Sequence, residues 1–183
     1  MFEVRIAESR DAAAIAAIYR PYVEETAISF EEAAPDAAAI AKRMAALSKT
    51  HPFLVGAEAA EVLGYAYASP HRERAAYRWS VDVTVYVGRD GHRRGLGRAL
   101  YGELLGILRA QGFHAAFAGI TLPNAASVGL HEAMGFTRTA TYAEVGFKLG
   151  AWRDVGWWRL GLNSARGAPE EPILFACLTA SRS

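Results

Sequence analysis

Apolar and polar residues alternate over positions 2–7, which predicts a short opening strand. Ser9 then stands at an N-cap position with Asp11 in the first turn, and Ile15, Ile18, Tyr19 and Tyr22 recur at helical spacing. Pro21 is expected to end or kink that helix. Positions 26–32 read as a loop carrying Phe30. Pro35-Asp36 opens a second helix through Ile40, Met44 and Leu47, stopping before His51-Pro52. Strands are predicted over 53–57 and 62–68, joined by a turn near 59–61. The clearest strand is 78–87, with Val81, Val83, Val85 and Val87 on one face and Ser80, Asp82, Thr84 and Tyr86 on the other. A turn rich in glycine and arginine follows over 88–97. Leu96, Leu100, Leu104 and Leu108 then mark a helix that stops at Gly112. After a strand at 113–122, Pro123-Asn124 opens a short helix closed by Gly135. Final strands are expected at 136–145 and 157–162, linked by an aromatic, glycine-rich loop over 147–158. From about Asn163 the chain turns irregular, with Pro169 and Pro172, and reads as a loosely held tail. Short strands followed by strand–helix–strand–helix imply a mixed α/β sheet. There is no internal repeat.

Composition narrows the class without naming a function. The 183 residues suit one domain, and the 52% apolar content is inflated by 37 alanines. Lys+Arg 20 against Asp+Glu 19 leaves a net charge of +1, which argues against a broad sequence-independent nucleic-acid surface. The single cysteine, Cys177, allows neither an internal disulfide nor a cysteine zinc cluster, and a reducing compartment fits. No apolar run approaches the ~20 residues of a membrane span, and positions 1–5 lack the pattern of a signal peptide. A cytoplasmic, single-domain protein is expected, with no metal and no nucleic-acid or membrane partner.

Two constellations carry chemistry. Around the 88–97 turn, backbone N–H groups at a helix N-terminus meet Gly95, Leu96 and Gly97, with Arg93, Arg94 and Arg98 nearby. Unpaired N–H groups, the helix dipole and these cations together make a cradle for a pyrophosphate. The alternative is a surface turn whose arginines are solvated. The turn is neither a Walker A loop nor a dinucleotide fingerprint. Downstream, Asn124, Ser127 and His131 share one face of the short helix.

This order of strand, arginine-rich glycine turn, helix, strand and Asn-x-x-Ser with a terminal Gly-Phe resembles the GNAT superfamily of acetyl-CoA-dependent N-acetyltransferases. Over about residues 3–162 the chain is similar to the phosphinothricin and methionine sulfoximine (methionine sulfone) acetyltransferases. The blocks that carry the likeness are 26–30, 72–77, 80–87, 127–136 and 146–156. The resemblance implies a GNAT fold: a mixed sheet of about seven strands flanked by helices, in one domain over 1–163 with a tail at 164–183. It also implies a homodimer that acetylates the α-amine of a small amino acid or analogue, an activity tied to antibiotic and herbicide resistance. Two positions depart from the pattern: His92 opens the glycine turn where Gln or Arg is usual, and Asp82 replaces a usual Glu.

From these readings Asp82 is the candidate base and His131 the candidate proton donor to the thiolate. Asp82 has as its alternative a structural pairing with Arg78 or an arginine of the preceding loop. His131 has as its alternative a satisfied helix histidine. Acetyl-CoA is expected along Val85, Tyr86, Val87, Arg93, Arg94, Gly95, Leu96, Gly97, Arg98, Asn124 and Ser127. The acceptor is expected against Phe30, Arg72, Arg74, Asp82, Val83 and Thr84, the arginines pairing with its carboxylate. Trp152, Trp157 and Trp158 are expected to serve packing or a dimer contact, and Cys177 has no assigned role. Other readings are an acetyltransferase for a peptide N-terminus or polyamine, or a non-catalytic acyl-CoA sensor.

Overall fold

In the computed structural model, which describes residues 2–164 and 167–180, the chain runs β1 (Glu3–Ile6), α1 (Ala12–Glu24), α2 (Ala37–Leu47), β2 (Phe53–Glu58), β3 (Glu61–Pro70) and β4 (Ser80–Val87). It continues through α3 (Leu96–Ala110), β5 (Ala115–Thr121), α4 (Ala125–Ala133), β6 (Thr137–Lys148), β7 (Ala151–Gly161) and α5 (Phe175–Ala180). The strands form one sheet in the order β1-β2-β3-β4-β5-β7-β6. Every pair is antiparallel except β4 with β5. A mixed α/β sheet of seven strands flanked by helices is therefore the observed architecture.

The parallel pair positions the site. Its ladder holds only Ser80↔Ala115, Val81↔Ala116 and Asp82↔Phe117. On its other side β4 stays bonded to β3 as far as Val87↔Gly64, and β5 stays bonded to β7 as far as Thr121↔Val155. Each strand thus keeps its outer neighbour while leaving its inner one, and a wedge opens beyond Asp82.

Hydrophobic layers on both faces hold that wedge. The predicted stripe of α3 is fully buried, and Leu96, Leu100, Leu104 and Leu108 pack with Val81, Val83, Ala116 and Ala118. Each such side chain contributes roughly 1.5–3 kcal/mol. On the opposite face Ile15, Tyr19 and Val23 of α1 join Ile40 and Met44 of α2 over Phe53, Val55 and Tyr65. Asp36 caps α2 by accepting from the Ala39 N–H at 2.8 Å.

Four local expectations change. The loop expected at 147–158 is instead the turn and second strand of a long β6–β7 hairpin, with Leu149 and Gly150 both at positive φ in its turn. Register shifts between Arg138 and Ala140 and between Tyr142 and Gly146 break the period-two pattern there. Pro21 does not end α1, which runs on to Glu24 with Val23 buried in the core. Glu8 rather than Ser9 caps the first turn, its N–H bonded to Asp11, whose carboxylate Arg5 holds through two bonds. Near its end the chain docks: Ile173 exchanges hydrogen bonds with Gln111, Arg78 pairs with Glu171 at 2.6 Å, and Phe175 of α5 is buried. Residues 165–166 and 181–183 of the expected tail lie outside the described residues.

Candidate active site

The turn from β4 into α3 is built around Gly95, which N-caps the helix at φ 81°. A side chain there would meet nothing within 4 Å, so the space before the helix is open. The first N–H groups of α3 have no acceptor within the helix and face that space with the positive end of its dipole. His92 folds back: its ring Nε2 lies 2.9 Å from the Val87 carbonyl, which also accepts from the Tyr22 hydroxyl at 2.7 Å. His92 is therefore a tie that fixes the turn to β4 and α1. Arg93 holds a left-handed φ of 58°. Arg94 donates to Glu58 at 2.6 Å, whereas Arg93 and Arg98 are exposed.

Beyond Asp82 the edge of β4 that faces β5 makes no ladder bonds among the described residues. Val83, Thr84, Val85 and Tyr86 line this cleft with Ala118–Thr121 of β5. Asn124, Ser127, His131 and the buried Tyr101 close it from the α3 and α4 side. Asn124 caps α4 by accepting from the Ser127 N–H at 3.1 Å. His131 Nδ1 lies 2.7 Å from the Ser127 carbonyl and therefore carries its proton, leaving Nε2 to accept from the Tyr101 hydroxyl at 2.8 Å. Burial pushes its pKa below the ordinary histidine value, so the ring is neutral near pH 7.

On the face of the sheet that carries Asp82, the structure brings in a residue absent from the sequence reading. His71, just after β3, places Nδ1 2.6 Å from Asp82 Oδ1. Its ring stacks on Phe117 with centroids 4.4 Å apart and meets Trp157 edge-on at 6.0 Å. Arg72 lies 4.0 Å from the other Asp82 oxygen, bonds the His71 carbonyl and rests over the Trp157 ring at 5.5 Å. Desolvation raises the Asp82 pKa above the ordinary carboxylate value, opposed by the hydrogen bond from His71 and the nearby Arg72 charge. Of the two pairings anticipated for Asp82, the loop arginine is thus the one formed, because Arg78 is engaged by Glu171 and lies over Trp79.

His71, Arg72, Arg74 and Tyr77 line a groove walled on its far side by Glu171, Pro172 and Ile173. Arg74 is exposed and makes no ion pair among the described residues. Phe30 lies elsewhere, on Gly146 of β6, where an added Cβ would collide with its ring. That loop is anchored by Lys148, whose ammonium donates to the carbonyls of Val23, Ser29 and Glu31 at 2.6, 2.6 and 2.8 Å. Thr121 adds a bond to Ile28. Lys148 and Tyr101 have no local sequence signature. Nor has His71: it keeps the parity of Ser69, and only the β3–β4 ladder sets Ser69 opposite Asp82.

Comparison with known proteins gives the chain a family. A sequence profile described as an acetyltransferase (GNAT) domain matches residues 4–157. A phosphinothricin N-acetyltransferase of Streptomyces viridochromogenes is 39% identical over 171 residues, covering 93% of this chain and 92% of that protein. An L-methionine sulfoximine/L-methionine sulfone acetyltransferase of Pseudomonas aeruginosa is 37% identical over 171 residues, covering 91% and 98%. Two solved structures superpose with a TM-score of 0.88. One is a Salmonella typhimurium protein with its cofactor acetyl-CoA, at 35% identity covering 93% of this chain and 98% of that one. The other is a Sinorhizobium meliloti GNAT phosphinothricin acetyltransferase in complex with acetyl-CoA, at 32% identity covering 94% and 95%.

Proposed function

The chain belongs to the GNAT acetyltransferase family, and from that premise we propose that it transfers acetyl from acetyl-CoA to the α-amine of a small amino acid or analogue, of the phosphinothricin and methionine sulfoximine kind. It is an acetyl-CoA-dependent acetyltransferase. The observation that carries the reading is the end of the β4–β5 ladder at Asp82↔Phe117, beyond which a cleft opens between the two strands.

The residues fit the cosubstrate. The open space at Gly95 and the N–H groups of Leu96, Gly97 and Arg98 suit a pyrophosphate, with Arg93 and Arg98 as screening cations. The unbonded edge from Val83 to Val87 and the side chain of Asn124 would hold the pantetheine arm, peptide-like and able to replace the missing ladder partner. Acetyl-CoA, when bound, supplies an activated acetyl carbon and a thiol leaving group. Backbone N–H groups near Thr84–Tyr86 would polarise the acetyl carbonyl. Asp82 and its partners would draw the proton that makes the acceptor amine nucleophilic. His131 is neutral and shares its Nδ1 proton between the carbonyl of Ser127 and the hydroxyl of that residue at 3.3 Å. In this scheme it serves the thiolate by aiming the Ser127 hydroxyl as a hydrogen-bond donor. Arg72 and Arg74 would pair with the acceptor's carboxylate, and Ile28, in the same loop as Phe30, would border its side chain.

The catalytic domain in this reading spans 1–163, and the molecule works as a cytoplasmic homodimer. The dimer is supported by exposed aromatic side chains on the β6–β7 hairpin. No helix among the described residues is long and apolar enough to cross a membrane. The test is thiol release from acetyl-CoA over a panel of amines. Methionine sulfoximine, methionine sulfone and phosphinothricin should be turned over faster than polyamines or peptides, and Asp82→Asn should bind CoA yet turn over far more slowly. A protein that binds CoA but acetylates no amine in the panel would be a sensor, not this enzyme.

A further inference from the structure

We infer that His71, rather than Asp82, receives the proton from the acceptor's ammonium group, with Asp82 acting as the carboxylate that orients its ring. The inference rests on the acetyl-transfer reading above and names the base within it.

One oxygen of Asp82 is engaged by His71 Nδ1 at 2.6 Å, and the Arg72 guanidinium lies 4.0 Å from the other. Asp82 is not among the residues that line the groove, whereas His71 is. The short contact to Asp82 puts a proton on Nδ1, and this leaves Nε2 as the basic nitrogen of the neutral ring. Nε2 has no partner among the described residues, and the ring borders the groove lined by Arg72, Arg74 and Tyr77.

The ring is also fixed in place. Phe117 stacks on it at 4.4 Å, and Trp157 and Tyr77 meet it edge-on at 6.0 and 5.9 Å. Phe117 is the cross-strand partner of Asp82 in the last rung before the cleft opens. His71 is thereby held at the groove beside the last rung of the ladder, with the orienting carboxylate, base and aromatic support that acid–base sites use elsewhere. A residue placed only for packing would not need the hydrogen bond to a half-buried carboxylate.

In the step itself one N–H bond of the ammonium breaks, its electron pair stays on nitrogen, and the proton passes to Nε2. The ring becomes a cation stabilised by Asp82 and later returns that proton to water in the groove. The titratable and charged groups facing the ring are Asp82 from β4, Arg72 from its own turn and Tyr77 from the next turn. Phe117 and Trp157, from β5 and β7, carry no charge.

The experiment compares wild type, His71→Ala and His71→Phe with methionine sulfoximine as acceptor, following thiol release across pH and CoA affinity by calorimetry. Loss of a general base should lower kcat about 100-fold or more, remove the acid limb of the kcat/KM profile and leave CoA affinity unchanged. Added 4-methylimidazole should restore part of the rate to His71→Ala but not to His71→Phe, whose ring fills the space. Variants as fast as wild type overturn the inference. So does a slow His71→Ala that keeps the wild-type pH limb and ignores the added base, because the role would then be structural. A wild type inert toward every amine, by contrast, overturns the acetyl-transfer reading itself.

Discussion

At the scale of single residues, backbone conformation and burial give two sharp expectations. Gly95 adopts φ 81°, where a side chain costs about 1–2 kcal/mol. Since an added methyl meets no protein atom, Gly95→Ala should fold with a modest loss of thermal stability. The methyl would occupy the proposed pyrophosphate space, and calorimetry should find CoA binding weakened tenfold or more, with the acceptor's KM little changed. Unaltered CoA affinity would move the cradle elsewhere. His51 is buried beside Phe113 and Thr50, and desolvation alone lowers its pKa to about 4. The unfolded chain protonates this ring near ~6.5 while the folded chain resists until about 4. Below pH 6.5 the unfolded state therefore binds more protons, and stability falls as pH falls across that window. His131, lowered in the same direction, adds to the slope. Melting temperatures from pH 7 to pH 5 should decline, and His51→Phe should flatten the decline. At this scale the residues with local signatures were readable from sequence: the glycine turn, Asp82, and the Asn124, Ser127 and His131 face. His71 was not. Its meaning depends on a carboxylate eleven residues away across a ladder.

At the scale of elements, periodicity found what a single hydrophobic stripe determines. The stripe of α3, the alternation of β4 and the Pro-Asn start of α4 each match the structure because one face of each packs on the core. The β6–β7 hairpin escaped the same logic, since its register shifts and edge position remove the alternation that burial imposes elsewhere. The consequence is functional. Lys148, at the end of β6, ties the loop between α1 and α2 to α1 by donating to the carbonyls of Ser29 and Glu31 and to that of Val23, and its pKa is lowered by desolvation. Hydrogen bonds from a charged donor contribute about 1.5–3 kcal/mol each, so this one side chain sets the order of residues 26–31. Lys148→Met should leave CoA affinity intact, loosen that loop to hydrogen exchange and raise the acceptor's KM several-fold. If exchange in the loop stays at the wild-type rate, the ammonium is not what orders it.

At the scale of the whole molecule, the distribution of exposed apolar side chains is uneven. Trp152 and Phe147 are each 60% exposed, Leu149 is 57% and Val145 is 50%, all on one hairpin at the edge of the sheet. A polypeptide that leaves such a cluster in water invites association. The sheet's last strand, β6, also offers an edge whose outer backbone groups have no strand partner among the described residues. A second copy seated there would cover both liabilities, and a stable pair needs roughly 800 Å² from each partner. Trp152 and Phe147 meet edge to face at 5.4 Å, so they form one anchor rather than two scattered contacts. The same hairpin carries Gly146 under Phe30 and Lys148 under the acceptor-side loop, which couples that edge to the proposed acceptor site. Light scattering should therefore report twice the 19.8 kDa chain mass for wild type. Trp152→Glu with Phe147→Ser should report the single chain, still folded by circular dichroism, because neither side chain belongs to the core. Acceptor KM should rise in this monomer while CoA affinity holds, since the α3 cradle lies on strands β4 and β5 and not on the hairpin. A monomeric variant with wild-type acceptor kinetics would separate assembly from the site, and a wild type of single-chain mass would remove the dimer.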